Sequence, residues 1–157
     1  MTRGRHGSRH GRTERTPAET GSVLELRVRP STDELRRLST QAEAFARRHR
    51  LRPAAVDAML LALEEAVTNV LLYAFDGVPE EKRELSVRLR MTAAALVVTI
   101  LDNGVAFDPT RARPQAGADD GEERLGGWGI RLIRGLIDEV RYERIGDRNQ
   151  LELLVHV

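Results

Sequence analysis

Apolar and charged positions alternate from Val23 to Arg29, with Leu24, Leu26 and Val28 set against Glu25, Arg27 and Arg29. This period of two predicts a half-buried strand, which Pro30 ends. Ser31-Thr32-Asp33-Glu34 then reads as a capping box, in which a hydroxyl and a carboxylate satisfy the free amides of a helix start. Leu35, Leu38, Ala42, Phe45 and Ala46 carry that helix on one face to about Arg50. Pro53 suits the first turn of a second helix running to about Ala74. From Met59 to Phe75 this helix is almost entirely apolar, the pattern of a helix buried on most sides.

Two strands follow. Leu85, Val87, Leu89 and Met91 alternate with Ser86, Arg88 and Arg90, and Leu96 to Leu101 forms a continuous apolar run suited to a buried strand. Residues 102–125 are rich in Gly, Pro, Asp and Arg and exceed an ordinary connection, so they read as a functional lid or mobile segment. A third helix is expected from near Gly127 to near Asp138. A closing hairpin pairs Val140 and Tyr142 with Leu151, Leu153 and Val155 around Gly146-Asp147. The order βααββαββ predicts an α+β fold of two layers, with helices on one face of a mostly antiparallel sheet.

Composition narrows the function. The 157 residues, 41% of them hydrophobic, suit one domain with a real core. The net charge of +1 conceals a basic tail holding Arg3, Arg5, Arg9, Arg12 and Arg15. Residues 1–21 read as a disordered tail and 22–157 as the folded domain. The start is basic but lacks a following apolar stretch, and Ala93–Leu101 has about half the ~20 residues of a membrane helix. With no cysteine there is no disulfide framework or Cys-based zinc site, and a cytoplasmic protein is the expectation. Lys82 is the sole lysine and sits in the charged turn Glu80-Glu81-Lys82-Arg83-Glu84. That excludes a P-loop and a eukaryotic-type kinase site, both of which need a lysine at the phosphates.

Three constellations carry chemistry. Glu64, Glu65, Thr68 and Asn69 interrupt the apolar second helix. At about 100° per residue, Glu65 and Asn69 share a face, whereas Glu64 points elsewhere. Asp102-Asn103-Gly104 closes the buried strand, placing a carboxylate acceptor beside a residue that permits close backbone approach. Gly126-Gly127-Trp128-Gly129 leads into an apolar helix and offers bare amides at its positive end, a setting for phosphate. No strand immediately precedes these glycines, which excludes a Rossmann reading.

Glu-x-x-x-Asn, then Asp-x-Gly, then Gly-Gly-x-Gly resembles, in that order, the N, G1 and G2 boxes of the GHKL ATPases. Leu63-Glu64-Glu65-Ala66-Val67-Thr68-Asn69 with Tyr73-Ala74-Phe75, followed by Asp102-Asn103-Gly104 and Phe107-Asp108-Pro109, is similar to the bacterial anti-sigma-factor serine kinases. The resemblance spans about residues 22–157 and implies the Bergerat form of the two-layer fold. It implies ATP and Mg²⁺ as ligands, with Asn69 ligating the metal and Glu65 the general base beside it. Asp102 would receive the adenine amino group, Gly104 would shape that pocket, and Gly127 and Gly129 would cradle the phosphates. A lid drawn from 105–126 would cover them, with Arg111, Arg113 and Arg124 as candidate phosphate contacts. Ala106 stands where the wider superfamily has a second glycine, Tyr73 where many relatives have His, and Glu152 where several have Thr or Lys.

The implied activity is transfer of the γ-phosphoryl group of ATP to a serine or threonine of an anti-sigma-factor antagonist, with a sigma factor as the other partner. A homodimer is implied as well, with no direct nucleic-acid or membrane contact. The same boxes fit an ATP-dependent binding switch without transfer, or a detached histidine-kinase catalytic domain. The latter lacks a helical hairpin with a phosphoacceptor His ahead of the boxes. Topoisomerase and mismatch-repair machines need a transducer domain that this length cannot hold.

Overall fold

The computed structural model describes residues 21–29, 32–109 and 135–157. Strand β1 spans Val23–Arg27, helix α1 Thr32–Arg48 and helix α2 Pro53–Asn69, which continues as a π-helical turn over Val70–Ala74. A 3₁₀ turn at Glu80–Lys82 leads into β2, Leu85–Met91, and β3, Ala95–Asp102. The hairpin strands β4, Glu139–Ile145, and β5, Arg148–His156, complete the sheet. Gly135 and Leu136 are helical and Ile137 and Asp138 are not, so the third helix ends slightly earlier than expected; its residues before Gly135 lie outside the described residues, as do Ser31 and the basic tail.

The strands pair in the order β1-β2-β3-β5-β4, and every pairing is antiparallel. The continuous apolar run thus becomes the central strand, where Val97 is buried on one face and Leu96, Val98 and Ile100 on the other. In β2 and β5 the alternation aims Leu85, Val87, Leu89, Leu153 and Val155 into the same core as Leu38, Ala42, Met59, Leu63 and Val67 of the helices. This is the expected two-layer arrangement. At the β4–β5 turn Ile145 pairs with Arg148, and Gly146 takes a positive φ of 62°. The two-residue loop needs that left-handed conformation, which glycine adopts without a Cβ clash.

Helix α2 departs from its expected burial. It hides Val56, Met59, Ala62, Leu63, Ala66 and Val67, but Leu61 and, in the π turn, Leu72 and Tyr73 are exposed. An apolar composition sets no limit on the side that packs. Here α2 rests on the sheet with α1 along its flank, and Leu61 falls on the side left exposed.

Candidate active site

The acidic pair on α2 divides as helical geometry requires. Asn69 Nδ2 donates to Glu65 Oε1 at 3.3 Å, joining the two residues one turn apart. Glu64 instead accepts a hydrogen bond from the Ser39 hydroxyl of α1 at 2.6 Å, so its carboxylate is engaged between the two helices. Glu65 and Asn69 are both half-buried, at the point where α2 widens into the π turn. Such widened turns recur at functional sites, because they shift the helical face by a fraction of a turn. With its amide nitrogen committed to Glu65, Asn69 keeps its carbonyl oxygen for another partner.

Asp102 ends the central strand on its core face and is buried. Its Oδ1 accepts from the Gly104 amide at 2.8 Å and from Asn149 Nδ2 at 2.8 Å. Oδ2 receives no hydrogen bond from the described residues. Burial pushes the Asp102 carboxyl above its ordinary value, while Asn149, the Gly104 amide and the charge of Arg144 pull the other way. A group held this way is a strong acceptor, because its negative charge has little water to share it.

The two parts are tied together by backbone. Val105 N donates to the carbonyl of Ala74 at 2.8 Å, pinning the turn after Asp102 to the end of the helix that carries Glu65 and Asn69. Gly104 lies so close that a Cβ there would overlap the Ala74 carbonyl oxygen, so this position requires glycine. Asn103 fixes the other side of the turn, accepting from Glu84 N at 2.8 Å and donating to Lys82 O at 2.7 Å. Gly127, Gly129 and the lid arginines Arg111, Arg113 and Arg124 lie outside the described residues.

Sequence reasoning missed Asn149, Tyr142 and Arg144. Asn149 is buried and bonds to Asp102, and its Oδ1 accepts from Tyr142 Oη and Arg144 Nη1, each at 2.8 Å. A signal for it existed: Asn149 continues the alternation of Leu151, Leu153 and Val155 by one more step, which puts a polar residue on the core face. Glu152 stands between these positions, opposite Thr99 and Arg141 on the face turned away from the helices, so its departure from the family pattern does not touch Asp102.

A model of the histidine kinase-like ATPase domain matches residues 28–155. Serine-protein kinase RsbW of Listeria monocytogenes serovar 1/2a is 34% identical over 124 residues, which cover 76% of each chain. Serine/threonine-protein kinase BtrW of Bordetella bronchiseptica is 32% identical over 99 residues, covering 62% of this chain and 68% of that one. Among solved structures, the RsbU and RsbW domains of a Mycobacterium tuberculosis protein superimpose with a TM-score of 0.60 at 13% identity, over 85% of this chain and 32% of that chain. That last likeness is one of fold. The chain belongs to the histidine kinase-like ATPase family and, within it, to the serine-protein kinases represented by RsbW.

Proposed function

We propose that this ATP-dependent protein kinase phosphorylates a serine or threonine of an anti-sigma-factor antagonist and, in another state, binds a sigma factor. One observation supports it most. Glu65 and Asn69 are bonded to each other on a helix whose end is pinned to the turn that follows Asp102. A carboxylate, a side-chain amide and a buried acceptor are therefore tied to one corner of the fold, which supports their reading as base, metal ligand and adenine acceptor. In this reading the kinase works as a homodimer, and its composition suits the cytoplasm. Among the described residues no helix is long and apolar enough to cross a membrane.

In this reading Asp102 Oδ2 accepts a hydrogen bond from the adenine amino group, and the glycine at 104 shapes that pocket by letting the turn close on the Ala74 carbonyl. The partner hydroxyl oxygen attacks the γ-phosphorus, the bond to the β–γ bridging oxygen breaks, ADP departs, and Glu65 takes the hydroxyl proton. Gly127 and Gly129 enter on their motif alone, as amides for the phosphates.

The Asn69 carbonyl oxygen suits Mg²⁺, a hard ion that prefers oxygen ligands. Among the described residues there is no cluster of three or more His, Cys, Asp or Glu side chains that would cage a metal. At a nucleotide Mg²⁺ keeps several waters and takes few protein oxygens beside the phosphates, so Asn69 would be one of few protein ligands. When bound, Mg²⁺ neutralises charge building on the phosphate oxygens. Calorimetry with and without a chelator tests the assignment. ATP affinity should fall when Mg²⁺ is removed, and Asn69→Ala should abolish that difference. Equal affinity under all these conditions contradicts a metal role for Asn69.

A further inference from the structure

The Asn149 side chain uses its whole hydrogen-bonding capacity. Nδ2 donates to Asp102 Oδ1 at 2.8 Å and to the Val105 carbonyl at 2.9 Å. Its Oδ1 accepts from Tyr142 Oη and from Arg144 Nη1, both at 2.8 Å. The same Arg144 nitrogen donates to the Gly104 carbonyl at 2.9 Å, holding the guanidinium in place. A flipped amide would set its oxygen against two acceptors and its NH₂ against the Arg144 guanidinium, which can only donate. Only one orientation satisfies every partner.

The consequence falls on Asp102. Asn149 and the Gly104 amide occupy Oδ1 together, so rotating the carboxylate would strip two hydrogen bonds from a buried group. One oxygen is therefore fixed toward the protein. The other, Oδ2, is the oxygen left to meet a ligand.

We propose that Asn149, locked by Tyr142 and Arg144, is a positioning residue that holds Asp102 as a one-sided acceptor and thereby sets the preference for a 6-amino over a 6-oxo purine. This rests on the nucleotide reading given above. A 6-amino group donates to Oδ2, whereas a 6-oxo group meets it acceptor to acceptor. A carboxyl that carried a proton in its buried setting would donate to the oxo group and erase the distinction. Asn149 opposes that, because an N–H donor aimed at Oδ1 at 2.8 Å favours the ionised form and keeps Oδ2 the free acceptor.

The test compares affinities for Mg·ATP and Mg·ITP, which differ at the purine 6 position, by calorimetry. The unsubstituted protein should prefer ATP by about ten- to a hundred-fold, the range of one charge-assisted hydrogen bond. Asn149→Ala, folded by circular dichroism, should bring the two affinities within about three-fold. Asn149→Thr, which keeps a donor toward Asp102, should recover part of the preference. Asn149→Ala that weakens both nucleotides equally, with the ratio unchanged, overturns the proposal and leaves Asn149 a structural residue. Should Asn149→Ala fail to fold, the outward pair Tyr142→Phe with Arg144→Met decides: releasing the amide should lower the ratio, and an unchanged ratio overturns the proposal. If the unsubstituted protein binds neither nucleotide, the nucleotide reading falls and this inference with it, a result distinct from an unchanged ratio.

Discussion

Replacing Glu65 by Gln lowers phosphoryl transfer by ~10²–10⁴-fold while ATP affinity changes little. Gln has the size of Glu and keeps an oxygen to accept from Asn69 Nδ2, so the 3.3 Å contact and the Asn69 orientation it sets survive. Basicity alone is lost. Glu64→Gln is the matched control. Glu64 faces α1 and accepts from the Ser39 hydroxyl at 2.6 Å, a bond that an amide oxygen also accepts. Its transfer rate should stay within a few-fold of the unsubstituted rate. Initial rates with γ-labelled ATP and a saturating protein substrate measure both variants. An inactive Glu64→Gln beside an active Glu65→Gln would reverse the assignment of base and bystander.

Asp102→Asn should separate binding from folding, with opposite signs. Binding suffers, because the amide loses the charge and can present NH₂ to the adenine amino group. Loss of a charge-assisted hydrogen bond costs about 1.5–3 kcal/mol, or roughly ten- to a hundred-fold in affinity. Folding does not suffer in the same way, since an amide oxygen still accepts from the Gly104 and Asn149 nitrogens. Burial raises the Asp102 pKa in the folded state, so the protonated form is the one that folding favours. The stability it contributes is present below the unfolded-state pKa and is lost as pH rises through the raised folded value. At neutral pH the ionised carboxylate therefore costs stability. Without nucleotide, Asp102→Asn should melt at or above the unsubstituted temperature at pH 7, and the advantage should shrink in acid as Asp102 protonates. Melting curves at the two pH values, with calorimetry for ATP, measure both effects. Normal ATP affinity together with a lower melting temperature would contradict both roles.

Much of this was legible in the sequence, for identifiable physical reasons. The period-2 alternation of Leu85 to Met91 and the unbroken run ending at Leu101 are local signals, and both strands form where they predict. The choice of Glu65 over Glu64 needed only the angular step of a helix, and the contact with Asn69 follows that face. Gly104 was marked by its place after a buried strand, although its reason, the nearness of the Ala74 carbonyl, is tertiary. Other features had no local signature. The π turn at Val70–Ala74 looks like more helix, because its widening depends on what the helix end packs against. Asn149 meets Asp102 through the register of β3 against β5, a fact about pairing across 47 residues that periodicity within either strand cannot carry. The same register shows why Glu152, singled out as a departure from the family, stands on the other face of the sheet.

This chain is expected to move a phosphoryl group to a protein hydroxyl rather than only hold ATP. Incubating the full chain with Mg²⁺, γ-labelled ATP and candidate antagonist proteins, then mapping the label by mass spectrometry, tests it most directly. Label is expected on a serine or threonine of one partner, absent with chelator and lost in Glu65→Gln. Intact ATP binding with no label on any such partner, and partner binding equal in the unsubstituted protein and Glu65→Gln, would contradict it and leave an ATP-dependent binding switch.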